Sequence, residues 1–133
     1  MKIFIDTNIF LDIVFKREEA SAAKKIFTLV ESELFSAYVA DITLINIAYI
    51  ARKQNVDVKK FLHYITKKFT VLGADNSVFE EALELDNRDF EDNVQLVLAQ
   101  KAQCQIIITN DQAFIKEKTE VVSSVEFVKH YCL

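Results

Sequence analysis

Three acidic positions in this chain stand where chemistry is usually done. Asp6 ends the apolar run Ile3-Phe4-Ile5 and is followed by Thr7-Asn8. Asp111 follows Ile106-Ile107-Ile108 in the same way, after Thr109-Asn110. Between them, Asp89-Phe90-Glu91-Asp92 opens a strongly helical stretch. A carboxylate at the C-terminal lip of a buried strand is where open α/β sheets place ligands. Each acid alone has an ordinary use, because Asp is a favoured helix N-cap and first-turn acids gain about 0.3–1 kcal/mol from the helix dipole. Together they are harder to explain that way, since Asp89 and Asp92 lie on neighbouring helix faces and only one is needed as a cap. If Asp6, Asp92 and Asp111 meet at one edge, each pair about 4 Å apart repels by roughly 1 kcal/mol in water and about 4 kcal/mol at an effective dielectric of 20. A cation or a raised pKa must relieve that repulsion. An all-oxygen site suits Mg²⁺ or Mn²⁺. Such ions generate hydroxide and stabilise in-line displacement at phosphorus, so phosphodiester hydrolysis is the chemistry implied.

The elements that would position these acids follow from apolar spacing. Lys2 to Asp6 reads as a buried strand and Thr7 to about Phe15 as a helix. Glu18 to about Ser32 is an amphipathic helix with Ala22, Ile26, Leu29 and Val30 on its apolar face. A strand over Phe35 to Val39 leads to a helix from Asp41 or Thr43 to Gln54. Asp57 caps a helix to Lys68, followed by a strand to Leu72. Helices from Asn76 or Ser77 to about Asp86, and from Asp89 to Gln103, precede the Ile106 to Thr109 strand. A strand near Val121-Val122 and a helix from Ser124 close the chain. Alternating strands and helices imply a parallel sheet covered on both faces. Right-handed crossovers then put every strand C-terminus on one edge, which Asp6 and Asp111 share.

Bulk properties set the frame. The 133 residues, 51% of them hydrophobic, suit one domain spanning 1–133 with a full core. With one Gly and no Pro, turns must fall to Asn, Asp and Ser, and a Gly-rich phosphate loop is excluded. No apolar run is long enough to span a bilayer and no export signal is evident. Cys104 and Cys132 form neither a disulfide framework nor a zinc spacing, so a reducing cytoplasm fits. The net charge of −4 argues against a nucleic-acid binder, but two divalent ions would bring about +4 to the acids and reverse that local sign. His63 and His130 read as surface or helix-end residues. Lys16, Arg17, Arg52, Lys53 and Arg88 are candidate phosphate contacts. The Phe and Ile stripes read as core, and so does the face carrying Ile45, Ala48 and Tyr49, with subunit pairing as its alternative use.

The motifs together resemble those of the PIN domains, a family of small metal-dependent ribonucleases that includes VapC-type toxins of toxin–antitoxin pairs. Phe4-Ile5-Asp6-Thr7-Asn8 is similar to the family's D-T-N opening. Asp89-Phe90-Glu91-Asp92-Asn93-Val94-Gln95 resembles the D-F-E-D segment of one branch, and Ile108-Thr109-Asn110-Asp111-Gln112-Ala113-Phe114 the closing T-N-D motif. The resemblance implies a three-layer α/β/α sandwich around a parallel sheet of four to five strands. It implies an endoribonuclease using Mg²⁺ or Mn²⁺, with an RNA substrate, a protein antitoxin and a homodimeric state. Asp6, Asp92 and Asp111 would hold the metal, Thr109 or Asn110 would orient a coordinated water, and Asn8 would tie the site together. Asp89 would be either an outer acid or only a cap. One departure stands out: the Glu that many members carry after the second strand falls on Asn46, whose amide brings no charge. Retained activity is the reading adopted, and a weakened or non-catalytic RNA- or protein-binding module is the alternative. A haloacid-dehalogenase-like phosphohydrolase with Asp6 as nucleophile would need an acid where Asn8 stands.

Overall fold

The structure is a computed structural model and describes residues 1–132. In chain order the elements are β1 (Lys2–Ile5), α1 (Thr7–Val14), α2 (Ala20–Glu31), β2 (Ser36–Ala40), α3 (Asp41–Lys53), α4 (Lys59–Lys68), β3 (Thr70–Leu72), α5 (Asn76–Glu84), α6 (Phe90–Lys101), β4 (Ile106–Ile108), β5 (Glu120–Val122) and α7 (Ser124–Tyr131). The five strands form one parallel sheet in the order β3-β2-β1-β4-β5. The chain therefore builds outward from β1 on one side and, after α6, on the other. The gap between β1 and β4 is the switch point where such sheets open a crevice.

Period-two alternation sorts the apolar runs between two cores. Ile3, Ile5, Ile106 and Ile108 face one layer with Phe10, Ile26, Ile47, Ile65 and Phe127. Phe4 and Ile107 face the other, with Val78, Leu96 and Leu98. The result is a three-layer α/β/α sandwich. Helix α6 is buried at every position from Asp92 to Ala99, which is possible because α5 covers the side the sheet does not.

Turn chemistry differs from expectation. The positive-φ positions are Lys16, Glu33, Asn55, Gln103 and Lys118, so long side chains do most of the work assigned to Asn, Asp and Ser. The reason is the way helices end. After α6, Gln103 N–H donates to the Gln100 carbonyl at 3.0 Å and Cys104 N–H to that of Ala99 at 2.9 Å, the Schellman pattern that closes a helix on a left-handed residue. The same pair of bonds ends α1 at Lys16 and α3 at Asn55. Residues other than Gly lose about 1–2 kcal/mol in that conformation, part of which Gly would give back through chain entropy. Gln103→Gly is accordingly expected to raise stability by about 0.5–1 kcal/mol, a Tm rise of about 2–4 °C in a thermal melt. An unchanged or lower Tm would contradict this account of the helix end.

The core assignment of the α3 face also needs correction. Ile45 is 64% and Tyr49 58% exposed, because α3 presents Thr43, Ile47 and Ala51 inward instead. Phe79 and Phe90 are exposed as well.

Candidate metal centre

The acidic site assembles at the β1/β4 switch point. Asp6 follows β1 and is the N-cap of α1, its Oδ1 accepting from Thr7 N–H at 2.7 Å. Its other oxygen, Oδ2, accepts from Asn8 Nδ2 at 2.9 Å and from the Thr109 hydroxyl at 2.7 Å. Asp6 is almost fully buried, and four residues of the first and last motifs hold its neighbourhood: Asn8 Nδ2 also reaches Thr109 Oγ1, Asn8 Oδ1 accepts from Asn110 N–H, and Asp111 N–H donates to Thr109 Oγ1.

Asp92 enters from the first turn of α6. Asp89 Oδ1 accepts from Asp92 N–H at 3.1 Å, which makes Asp89 the cap of that helix. Asp89 also belongs to the acid cluster. Carboxylate oxygens of Asp89, Asp92 and Asp111 all lie within 4.8 Å of one another. Asp6 is outside that tight trio but close enough to act on Asp92 electrostatically.

Burial and like charge set the titration. Desolvation, then the neighbouring Asp6, Asp89, Asp111 and Glu91, push Asp92 up to about 7. Asp6 is raised chiefly by burial, against the hydrogen bond from Thr109 that lowers it. Glu91 is raised by burial and then by Asp6 and Asp89. An acid whose folded pKa is raised binds its proton more tightly folded than unfolded. The metal-free chain therefore loses stability as pH climbs from about 4 through about 7. In EDTA, Tm is expected to fall across that window, and excess Mn²⁺ should remove the fall. A Tm that rises with pH in EDTA would contradict the like-charge account.

The donor set fits a hard divalent cation. Asp92 Oδ2 is buried with no hydrogen-bond partner among the described residues, an orphaned acceptor on a residue of the carboxylate cluster. Three carboxylates whose oxygens lie this close would form an all-oxygen donor set of the kind that Mg²⁺ or Mn²⁺ takes. Residues 2–113 match the family model described as PIN domain.

The chain belongs to the PIN-domain family.

A relative over nearly the whole length is Ribonuclease VapC1 of Aquifex aeolicus (strain VF5), 27% identical across 98% of this chain and 95% of its own. Among solved structures, a toxin–antitoxin complex from Klebsiella pneumoniae superposes with a TM-score of 0.70 at 19% identity, covering 92% of this chain and 97% of that one. VapC20 of Mycobacterium tuberculosis, described as a sarcin–ricin-loop-cleaving toxin, gives 0.67 at 16% identity, covering 84% and 92%. At these identities the structural likeness concerns the fold.

Within this PIN domain the helper residues are more committed than the motifs implied. The Thr109 hydroxyl donates to Asp6 and accepts from Asn8 and Asp111 N–H, which leaves it no free position for orienting a water. Asn110 turns away from the acids. Its Nδ2 donates to Asp12 Oδ2 at 2.9 Å, and its Oδ1 accepts from Ser124 N–H and Oγ. Both residues position the closing loop. Asn46 does lie beside the acids, and its Nδ2 donates to Glu91 Oε1 at 2.8 Å.

The basic candidates are dispersed. Arg17 pairs with Asp12 at 3.8 Å and Lys16 lies at the same far end of α1. Arg52 and Lys53 stand in the last turn of α3, about 9 Å along the helix from Asn46. Arg88 is exposed just before Asp89 and is the nearest of them in sequence to the acids.

Sequence reasoning passed over Gln95 and Glu91. Gln95 is fully buried, and neither its Oε1 nor its Nε2 has a hydrogen bond of ordinary geometry, although the amide lies near enough to Asp6 to favour its ionised form. Its spacing of three from Asp92 was the available signal. Glu91 offered no such signal, because its partner is on another helix.

Proposed function

We propose that this PIN domain is a divalent-metal-dependent endoribonuclease acting as the toxin of a toxin–antitoxin pair. The observation that carries the reading is the Asp89, Asp92 and Asp111 trio, in which Asp92 Oδ2 is buried and unpartnered. The relative named a ribonuclease and the structural neighbours from toxin–antitoxin systems support it.

Asp92 and Asp111, with Asp6 and Asp89 beside them, would hold Mg²⁺ or Mn²⁺. When bound, such an ion polarises a phosphodiester and acidifies an attacking water. The chain's own contribution is preorganisation. Asp6 is fixed by Thr7, Asn8 and Thr109 before any substrate arrives, so no ordering cost falls on the reaction. Thr109 couples the ends of β1 and β4 by bonding both Asp6 and the Asp111 backbone. Without the cation the ionised carboxylates repel phosphate, so RNA engagement at this edge depends on it.

A protein antitoxin and a second copy of the chain are further proposed partners. The exposed side chains of Ile45, Tyr49, Phe79 and Phe90 provide apolar surface for such contacts. No described helix is long and apolar enough to cross a membrane, and a cytoplasmic site of action is proposed with the rest.

The deciding experiment incubates structured RNA with the purified chain in Mg²⁺ or Mn²⁺, with EDTA as control. Metal-dependent internal cleavage is expected. RNA binding that ignores EDTA and yields no cleavage would favour the second reading, a binding module, which the uncharged Asn46 motivates. Turnover of small phosphomonoesters without RNA cleavage would overturn both.

A further inference from the structure

Among the described residues, the buried side-chain polar atoms without a hydrogen bond are Asp92 Oδ2, Gln95 Oε1 and Gln95 Nε2. They belong to two residues about one turn apart on α6. Gln95 is completely buried. An amide in that position destabilises the fold, because its bonds to water are lost on folding without replacement. The rotation of α6 shows what the amide faces. Asn93 Nδ2 donates to the carbonyls of Ala82 and Asn87, which turns that side of the helix toward α5. Gln95 lies about 160° around the helix from Asn93, on the side away from α5, and about 60° from Asp92. There the amide comes near Asp6, at the end of β1, without closing a hydrogen bond of ordinary geometry. Asp6 is held by Thr7, Asn8 and Thr109, and none of these bonds comes from α6.

We infer that Gln95 is a positioning residue of the metal centre, its amide unpaired in the metal-free chain and bonding Asp6 when a cation draws Asp6 and α6 together. This rests on the proposed function and names a residue through which that site is held. Asp6 stands outside the tight trio, so a cation shared between them brings the end of β1 closer to the first turns of α6. Gln95 Nε2 is the α6 donor placed to follow that approach. Its amide is uncharged, so it fixes the carboxylate without competing with the cation as Lys or Arg would. The chain gives up stability when metal-free in exchange for a better-held carboxylate when loaded.

The test uses the full-length chain at pH 7.5. Gln95→Met keeps the length and shape of the side chain and removes both orphaned groups. Its melting temperature in EDTA is expected to equal or exceed that of wild type, while calorimetric titration shows Mn²⁺ bound about tenfold more weakly. In wild type, saturating Mg²⁺ should shift the Gln95 side-chain amide resonances in a nitrogen–proton correlation spectrum and slow the exchange of their protons. A residue that only packs the core gives the opposite pattern, a lower melt in EDTA with Mn²⁺ affinity unchanged. A folded Gln95→Met chain that binds Mn²⁺ as tightly as wild type overturns the inference, and so do wild-type amide resonances that Mg²⁺ leaves unmoved. A variant that melts below wild type in EDTA, or fails to fold, overturns it too, since the amide would then already be bonded in the metal-free chain. Asp92→Asn runs in parallel. If wild type itself binds no Mn²⁺, or Asp92→Asn binds equally well, the metal-dependent function fails. If Asp92→Asn loses binding and Gln95→Met does not, only the role of Gln95 fails.

Discussion

Asp92→Asn is expected to abolish the Mn²⁺-induced rise in Tm and to lower RNA cleavage by about a thousandfold or more, while the metal-free fold becomes no less stable. The two halves of this expectation have one cause. Asp92 is pushed up to about 7 by burial and by Asp6, Asp89, Asp111 and Glu91, so at neutral pH its charge opposes folding until a cation compensates. An amide removes that charge and supplies N–H donors to the surrounding carboxylates. Stability in EDTA at pH 8 should therefore equal or exceed that of wild type, and the pH-dependent fall in Tm should shrink. Paired melts in EDTA and Mn²⁺, with RNA cleavage on the same preparations, check both halves. Wild-type cleavage by the variant would place the chemistry elsewhere.

The second large effect concerns Asn110, whose side chain hydrogen-bonds to none of the acids of the trio. Its side chain closes three bonds, to Asp12 Oδ2 and from Ser124 N–H and Oγ. Asp12 and Ser124 are both buried, Ser124 completely. Asn110→Ala strands the Ser124 amide and leaves Asp12 only its 3.8 Å contact with Arg17. Orphaned buried polar groups cost about 1–3 kcal/mol each, so a loss of about 2–4 kcal/mol is expected. For a chain of this length that lowers Tm by about 7–14 °C. Asn110→Asp serves as the pH control. It sets a carboxylate against Asp12, so its destabilisation should be worse at pH 8 than at pH 5. A melt within about 2 °C of wild type for Asn110→Ala would show that the closing loop is held by other means.

What the sequence disclosed, and what it withheld, divides along the range of the interactions. The apolar runs at Ile3 and Ile106 announced β1 and β4, because a strand buried on both faces admits nothing polar. Asp6 and Asp89 announced helix starts through local chemistry, whereas the cap of α4 is Val58 and not Asp57, whose Oδ1 accepts from Lys59 N–H just ahead of the helix. Asp75, whose Oδ1 accepts from Val78 N–H, caps α5 by the same chemistry, and the helix begins at Asn76, one of its two expected starts. Helix α3 was another matter. Ile42, Leu44, Ile45, Ile47, Ala48, Ile50 and Ala51 spread apolar character over most of its circumference, and periodicity alone does not choose the face that meets the sheet. The acids were legible as a set, but their partition was not. Whether Asp6 or Asp89 stands closer to Asp92 and Asp111 depends on how α6 is rotated against β1. The bond between Asn46 and Glu91 depends on the packing of two helices far apart in sequence, and no local pattern encodes it.

The position of β1 has a consequence for how the protein is made. Synthesised before the other four strands, β1 lies in the middle of the sheet, and one of its neighbours, β4, begins at residue 106. Asp6 N–H closes onto the Ile108 carbonyl, and the Thr109 hydroxyl that anchors Asp6 lies 103 residues downstream. A nascent chain still on the ribosome thus holds Asp6 without its companions until β4 and the loop after it have been made. The acids meet only when the closing loop emerges and β4 docks beside β1. Such late, long-range pairing is slow to form. For an enzyme that would cut RNA, it also means that the partly synthesised polypeptide carries no working site.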